Sequence, residues 1–163
     1  MSSLTQHRGF TLIELLVTLA VLAIVVTVAV PGFRGLAESN RMTGLTNELV
    51  AAVNFARSEA VKRGAPVSVC AANGGWGSGW SVREGTACAS ADLRVWDAPD
   101  AGPVIATRPA NSTRITFAAL GERANNVDCV HISEGDGSND RVLLIGRSGA
   151  ISVSRRDECT PSE

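Results

Sequence analysis

The stretch RGFTLIELLVTLAVLAIVV, from Arg8 to Val26, decides how this chain is organised. It belongs to an apolar run of 21 residues, Phe10–Val30, whose polar members are three threonines and one acid, Glu14. As a helix rising about 1.5 Å per residue, the run would span roughly 31 Å, the thickness of a bilayer core. A carboxylate at mid-bilayer costs about 2.5–3.5 kcal/mol, so intramembrane acids usually have a function. We therefore expect a membrane-spanning helix in which Glu14 has a specific role.

Two ordinary explanations account for this run less completely. A secretory signal peptide has an apolar region of about 7–15 residues followed by a small-residue cleavage site. This run is longer, contains an acid and ends in Val30-Pro31. A simple membrane anchor has the right length but leaves Glu14 unexplained, although an acid near one end of the span can reach the interface. Composition alone leaves both alternatives open.

The motif GFTLIE, from Gly9 to Glu14, resembles the processing site of type IV prepilins and type II secretion pseudopilins. The resemblance implies that a prepilin peptidase removes residues 1–9, cutting between Gly9 and Phe10, and methylates the new N-terminal amine. It also implies an assembly role for Glu14, whose carboxylate neutralises the N-terminal amine of a neighbouring subunit in the apolar filament core. A cation within about 4–6 Å favours the charged form of a carboxylate, so Glu14 would favour subunits docked in register.

The apolar run is followed by a second, amphipathic helical segment over residues 31–64. Pro31 and Gly32 interrupt the run, and we expect a kink or a locally melted stretch near Val28–Gly35. Farther on, apolar residues recur at three- and four-residue steps, which predicts a buried helical stripe. Its members are Leu45, Leu49, Ala52, Val53, Ala56 and Ala60. Gly64 followed by Pro66 predicts the end of the helix.

After Gly64 the pattern changes to short segments rich in branched residues, separated by Gly, Asn, Asp, Ser and Pro. These features predict β-strands. Seven are predicted: Pro66–Ala72, Gly79–Glu84, Leu93–Trp96, Arg114–Leu120, Cys129–Ser133, Arg141–Gly146 and Ala150–Ser154. We expect a β-rich globular head over residues 65–163, in which an antiparallel sheet covers the helix. The fold class is therefore α+β.

The helix end NFARSEAVKRG (Asn54–Gly64) and the later segment WGSGW (Trp76–Trp80) are similar to the GspH/FimT-type family of minor pilins and pseudopilins. The resemblance implies a type IV pilin-like lollipop and partners of three kinds: other major and minor pilins or pseudopilins, the prepilin peptidase and the inner-membrane assembly platform. It implies a single-pass inner-membrane protein with its head in the periplasm before assembly, and a pilus at the cell surface afterwards. The implied function is a minor pilin that takes part in pilus assembly or initiation at the tip. A minor pseudopilin of a type II secretion system is the alternative.

Four cysteines, Cys70, Cys88, Cys129 and Cys159, lie beyond the apolar segment and include no Cys-x-x-Cys pair. An even number in an exported domain predicts two disulfides, with three pairings open. Nearest-neighbour pairing closes the shortest loops and is the one we prefer. Disulfides imply an oxidising compartment. In the GspH/FimT family the second cysteine usually precedes the Gly-Trp pair, whereas Cys88 follows Trp80 here.

The C-terminal region is rich in arginine. Between residues 141 and 156 there are four arginines and no acid: Arg141, Arg147, Arg155 and Arg156. Some FimT-type minor pilins bind DNA for natural transformation through a Gly-Arg-x-Arg motif near the C-terminus, and Gly146-Arg147-Ser148-Gly149 preserves its first half. Arginines bind phosphates by charge and bidentate hydrogen bonds without reading sequence. The resemblance thus implies double-stranded DNA as a partner, whereas Asp157 and Glu158 favour a simple solvated strand end.

Other function classes have little support in the sequence. The net charge of −1 predicts no strong general attraction to nucleic acid. His7 lies in the leader and His131 in a predicted strand, and no nucleophile, phosphate-loop or paired-histidine motif accompanies them. EGDGSND, residues 134–140, lacks the alternate spacing of an EF-hand calcium loop and is predicted to be a solvated turn. We expect no enzyme activity, no cofactor and no metal.

Overall fold

In the part of the chain that the structure describes, one helix precedes eight strands. The computed structural model describes residues 10–73, 75–99, 104–133, 139–155 and 159. In these ranges the elements are α1 Leu12–Arg63, β1 Val67–Ala72, β2 Gly75–Glu84, β3 Asp92–Trp96, β4 Val104–Arg108, β5 Arg114–Phe117, β6 Cys129–Ser133, β7 Arg141–Ile145 and β8 Ile151–Ser154. The chain divides into two units, one up to Glu38 and one from Ser39 onward.

The first unit contains the apolar part of α1. The hydroxyl of Thr11 accepts a hydrogen bond from the backbone N–H of Glu14 at 3.3 Å, which caps the first turn of the helix. An acid in that turn also interacts favourably with the helix dipole. The helix is long and apolar enough to cross a membrane. Val28–Gly35 are helical throughout, so the locally melted stretch expected there is not present.

The second unit begins with the part of α1 that packs on the strands. The predicted stripe is confirmed, because its six residues are at most 6% exposed. The helix ends as predicted at Gly64, which adopts φ +61°. The N–H of Gly64 donates to the carbonyl of Val61 and that of Ala65 to the carbonyl of Ala60, the pattern of a Schellman motif.

The strands form two four-stranded antiparallel sheets, ordered β3-β2-β1-β5 and β4-β6-β7-β8. Both sheets contribute to one hydrophobic core with α1, through residues such as Phe117 and Val69 from the first sheet and Ile132 and Leu143 from the second. The strands predicted as an antiparallel sheet region are thus divided between two antiparallel sheets. The missed strand is β4, an edge strand with Pro109 directly after it. A proline next to a run of branched residues argues against a strand in the sequence, although edge strands of folded sheets tolerate proline.

The tryptophans of β2 are core residues. Trp76 is 5% exposed and donates from Nε1 to the carbonyl of Ser112 at 2.7 Å, and Trp80 is 1% exposed. Gly79 lies between them at φ +95°, where a Cβ would come within 2.6 Å of the carbonyl oxygen of Trp96. Only glycine therefore lets β2 approach β3 closely at this point.

The head contains two disulfides, Cys70–Cys88 and Cys129–Cys159. This is the nearest-neighbour pairing. Cys88 reaches Cys70 from the turn after β2, with 5.9 Å between the Cα atoms, although it follows Trp80 in the sequence. Cys159 is attached to the first residue of β6, so the second disulfide holds residue 159 against the second sheet.

Candidate functional site

The residues expected to act in processing and assembly lie at the start of α1. Phe10 is 86% exposed and immediately precedes the cap of the helix, whereas Gly9 lies outside the described residues. Glu14 is exposed in the first turn, and its side chain forms no salt bridge within the described parts of this single chain. The exposed carboxylate is thus available to a group from another molecule.

The structure separates the C-terminal arginines that the sequence grouped together. Arg147 lies in the turn between β7 and β8, whereas Arg155 follows the far end of β8. The strand pairing from Ile145↔Ile151 to Val142↔Ser154 covers three residue steps, or about 10 Å of strand. Arg147 and Arg155 are exposed at opposite ends of this hairpin. Arg156 lies outside the described residues.

Arg141 is placed unlike a residue that binds a macromolecule. It is 6% exposed, and its Nη1 donates to the backbone carbonyls of Asn139 at 2.8 Å and Asp140 at 3.2 Å. Burial lowers the pKa of the Arg141 guanidinium, and the charge of Arg155 lowers it further. The Arg141 guanidinium is therefore bound to the two residues that directly precede β7 and offers little surface to DNA.

The acidic connection between β6 and β7 is only partly described, because residues 134–138 fall outside the described ranges. Asp140 at its end is buried, with Oδ2 at 2.8 Å from Nε2 of His131 on β6. His131 is thus a structural partner of Asp140. The described residues contain no group of three or more His, Cys, Asp or Glu side chains that would hold a metal.

Arg147 instead lies beside arginines from other parts of the chain. A cleft of about 290 Å³ is lined by Arg108 from the end of β4, Arg123 and Asp128 from the loop between β5 and β6, and Leu144–Arg147. Backbone hydrogen bonds fix this arrangement, since Arg123 N–H donates to the carbonyl of Arg147 at 3.0 Å and Ile145 N–H to that of Asp128 at 2.8 Å. We call this site the arginine cleft.

One of the three arginines in the cleft is already paired. Arg108 donates from Nε and Nη2 to the two carboxylate oxygens of Asp128, at 2.9 and 3.0 Å, and from Nη1 to the carbonyl of Cys159. The hydrogen bonds from Arg108 hold the pKa of the Asp128 carboxyl below its ordinary value, and Asp128 in turn raises the pKa of Arg108. This forked pair orders the wall of the cleft and neutralises one positive charge.

Arg123 has no comparable partner. Its Nε and Nη1 are buried and have no hydrogen-bond acceptor among the residues that the structure describes. Its charge interacts with Asp128, but both oxygens of that carboxylate already accept from Arg108. Among the described residues that line the cleft, three arginines and one aspartate leave a net charge of about +2. Buried donors without acceptors are rare in folded proteins and often indicate a functional site.

Arg57 on α1 positions the turn that carries Arg147. It donates from Nε to the carbonyl of Gly121 and from Nη2 to the carbonyl of Ser148, both at 3.0 Å. Gly149, at φ +76°, fits closely against the backbone of Gly121 and the Arg57 guanidinium. Arg57 thereby connects the helix to two separate turns.

The sequence alone does not group Arg57, Arg108 and Arg123 with Arg147. Along the chain, Arg57 is 91 residues from Ser148, and Arg108 and Arg123 are 39 and 24 residues from Arg147. Only the sheet pairing and the helix packing bring these residues together. Arg57 lies in the segment Asn54–Gly64, whose resemblance to the GspH/FimT family assigns this arginine no role. Its contacts now provide a physical reason for arginine at that position.

A family model described as "Type II transport protein GspH" matches residues 45–149, more than half of the chain. The chain belongs to the GspH family. A second model, the "Prokaryotic N-terminal methylation motif", matches residues 4–30, which include GFTLIE and the apolar helix. Members of the GspH family are minor pilins and pseudopilins, structural subunits that assemble with other pilins and are anchored in a membrane by such a helix.

Solved structures similar to this GspH-family chain include two crystal forms of the type IV minor pilin FimU of Pseudomonas aeruginosa. In the first, the match is 28% identical with a TM-score of 0.64, and covers 73% of this chain and 92% of the other. In the second, it is 28% identical with a TM-score of 0.58, and covers 69% and 91%. No curated protein matches the chain. The likeness to FimU confirms the type IV pilin fold of a helix packed on antiparallel strands.

Proposed function

We propose that the chain is a minor pilin of a type IV pilus, processed between Gly9 and Phe10 and incorporated near the filament tip. The observation that carries this proposal is the match to FimU, a type IV minor pilin, over 73% of this chain and 92% of that one. The methylation motif and the exposed Glu14 agree with it. A pseudopilin of a type II secretion system is the alternative, because the GspH family includes both classes.

The assembly role rests on the carboxylate of Glu14. A neighbouring subunit whose processed N-terminal amine lies next to Glu14 would supply the opposite charge that this chain alone does not provide. Phe10 would then be the first residue of the mature chain. Leu12–Val30 would form the apolar contacts around this ion pair, and their large side chains are 40–77% exposed in the single chain.

Substitution of Glu14 tests this role. In Glu14→Ala we expect normal cleavage but a strong loss of incorporation into sheared pili, measured by immunoblotting. Thr18→Ala is the matched control, since Thr18 lies in the same span and its hydroxyl donates to the carbonyl of its own helix at Leu15. Mass spectrometry should give a mature N-terminus at methylated Phe10. Normal incorporation of Glu14→Ala would contradict the assembly role.

Deletion of the gene distinguishes the two filament types. Loss of surface pili with normal protein secretion is expected for a type IV minor pilin. Loss of secretion with normal pili would instead identify a pseudopilin and overturn the proposal.

DNA uptake for natural transformation is a second candidate function. It is favoured by one observation: Arg147 is exposed beside two further arginines in a cleft with a net charge of about +2. The contact would be made by Arg147 and the arginine cleft, since Arg155 lies at the other end of the hairpin and Arg141 is buried.

Salt dependence tests the DNA candidate. The full chain in non-ionic detergent should shift a labelled DNA duplex at low salt, with an affinity that falls as salt rises. In Arg147→Gln we expect weaker binding and a salt slope reduced by about 1. Absence of binding by the wild-type chain at low salt would rule out this function.

A further inference from the structure

The unpaired guanidinium of Arg123 needs an explanation that the pilin fold does not supply. An arginine that served only to support the loop between β5 and β6 would be expected to donate to backbone carbonyls, as Arg57 does. Two of the Arg123 donors are buried and lack acceptors within the described residues. An unmatched buried donor costs stability unless a ligand supplies the acceptor.

The surroundings of Arg123 determine which ligand fits. Asp128 is occupied by Arg108, so the described residues that line the cleft offer no free carboxylate that would favour a cation. Arg147 is exposed at the turn that borders the cleft, and the volume of about 290 Å³ is several times the ~30 Å³ of a water molecule. A compact oxyanion with several acceptor oxygens matches forked guanidinium donors best.

We propose that the arginine cleft is a binding site for a single phosphate group, held by Arg123 and Arg147, and that the backbone of DNA provides this phosphate. This inference rests on the DNA candidate above and deepens it, because it assigns the principal contact to Arg123, outside the Gly-Arg-Ser-Gly turn. Arg123 and Arg147 both line the cleft, so a phosphate group bound there would lie beside both guanidinium groups. Arg108, already bound to Asp128, is a positioning residue that fixes the side of the cleft formed by Asp128.

Two probes test the site on the full chain in non-ionic detergent: inorganic phosphate and a short labelled DNA duplex. Thermal unfolding is measured with phosphate against chloride at equal ionic strength, and DNA binding by fluorescence anisotropy. For the wild type we expect phosphate to raise the unfolding temperature above the chloride value and to compete with DNA. In Arg123→Gln we expect the phosphate-specific rise to vanish and DNA affinity to fall about tenfold or more, because charge-assisted hydrogen bonds are lost.

Matched variants separate this site from general charge. Arg114→Gln removes the same charge from β5 in the other sheet, where the side chain is exposed, and should change neither readout appreciably. Arg147→Gln, also at an exposed position, keeps the test valid if Arg123→Gln folds poorly, and should reduce both readouts.

The outcomes distinguish the site from the function. Loss of both phosphate and DNA binding in Arg123→Gln and in Arg147→Gln, with Arg114→Gln unchanged, supports the proposal. DNA binding that is unaffected in Arg123→Gln overturns the cleft site but leaves DNA uptake standing. Phosphate binding that needs Arg123, without any DNA binding, overturns DNA as the source of the phosphate. Binding of neither probe by the wild type overturns the whole proposal.

Discussion

Replacing Arg57 by methionine should loosen the turn at residues 146–149 without disturbing the helix. Methionine keeps the apolar stem but removes the donors to Gly121 and Ser148, each at 3.0 Å. The half-buried bond to Gly121 is expected to contribute about 1.5–2 kcal/mol, and the exposed bond to Ser148 about 0.5–1 kcal/mol. The free energy of unfolding should therefore fall by about 2–3 kcal/mol. For a head of this size that corresponds to a decrease of roughly 5–10 °C in the unfolding temperature.

Near-ultraviolet circular dichroism provides the assay, because the buried Trp76 and Trp80 report on head packing. Arg114→Met is the control, since it makes the same change at an exposed position on β5. DNA affinity should fall further in Arg57→Met than in Arg114→Met, because the turn carrying Arg147 is less ordered. An unfolding temperature for Arg57→Met within 1 °C or so of the control would refute the assigned positioning role.

Three further changes test the packing of the head. Hydrogen bonds from Arg63 lower the pKa of Glu59, so the stability from this carboxylate is present above its ordinary pKa and is lost as the pH falls through the folded value. Glu59→Gln should therefore destabilise the head at neutral pH, and the difference in unfolding temperature from the wild type should narrow as the pH falls below the ordinary pKa of a glutamate. Leu49→Ala, at a fully buried position, should cost about 2–5 kcal/mol in urea unfolding. Replacing Cys129 and Cys159 by serine opens a loop with a sequence separation of 30 and should cost about 3–4 kcal/mol in the same measurement.

Local patterns predicted the helix and most strands correctly. The stripe from Leu45 to Ala60 and the stop at Gly64 depend on neighbours within a few residues, and such signals are readable in one sequence. Strand β4 was missed because it lies at the edge of its sheet and is followed by Pro109, and both features weaken the sequence pattern of a strand. Division of the strands into two sheets depends on long-range pairing, which local periodicity does not encode.

The arginine site was predicted only in part for the same reason. Proximity in sequence grouped Arg147 with Arg155. In the antiparallel hairpin, however, Arg147 lies in the turn and Arg155 lies at the open end, one strand length away. The residues that do surround Arg147 come from α1, from the end of β4 and from the loop before β6. Their contribution depends on packing between elements distant in sequence. The N-terminal motif, by contrast, is contiguous and was recognised directly.

The attachment of Cys159 has a practical consequence for tagging this protein. Its side chain is bonded to Cys129 and its carbonyl accepts from Arg108, which lines the cleft. A bulky label attached beside Cys159 would crowd that side of the head. A small probe at Val95, 59% exposed on β3 of the other sheet, avoids this obstruction and is the better choice for imaging.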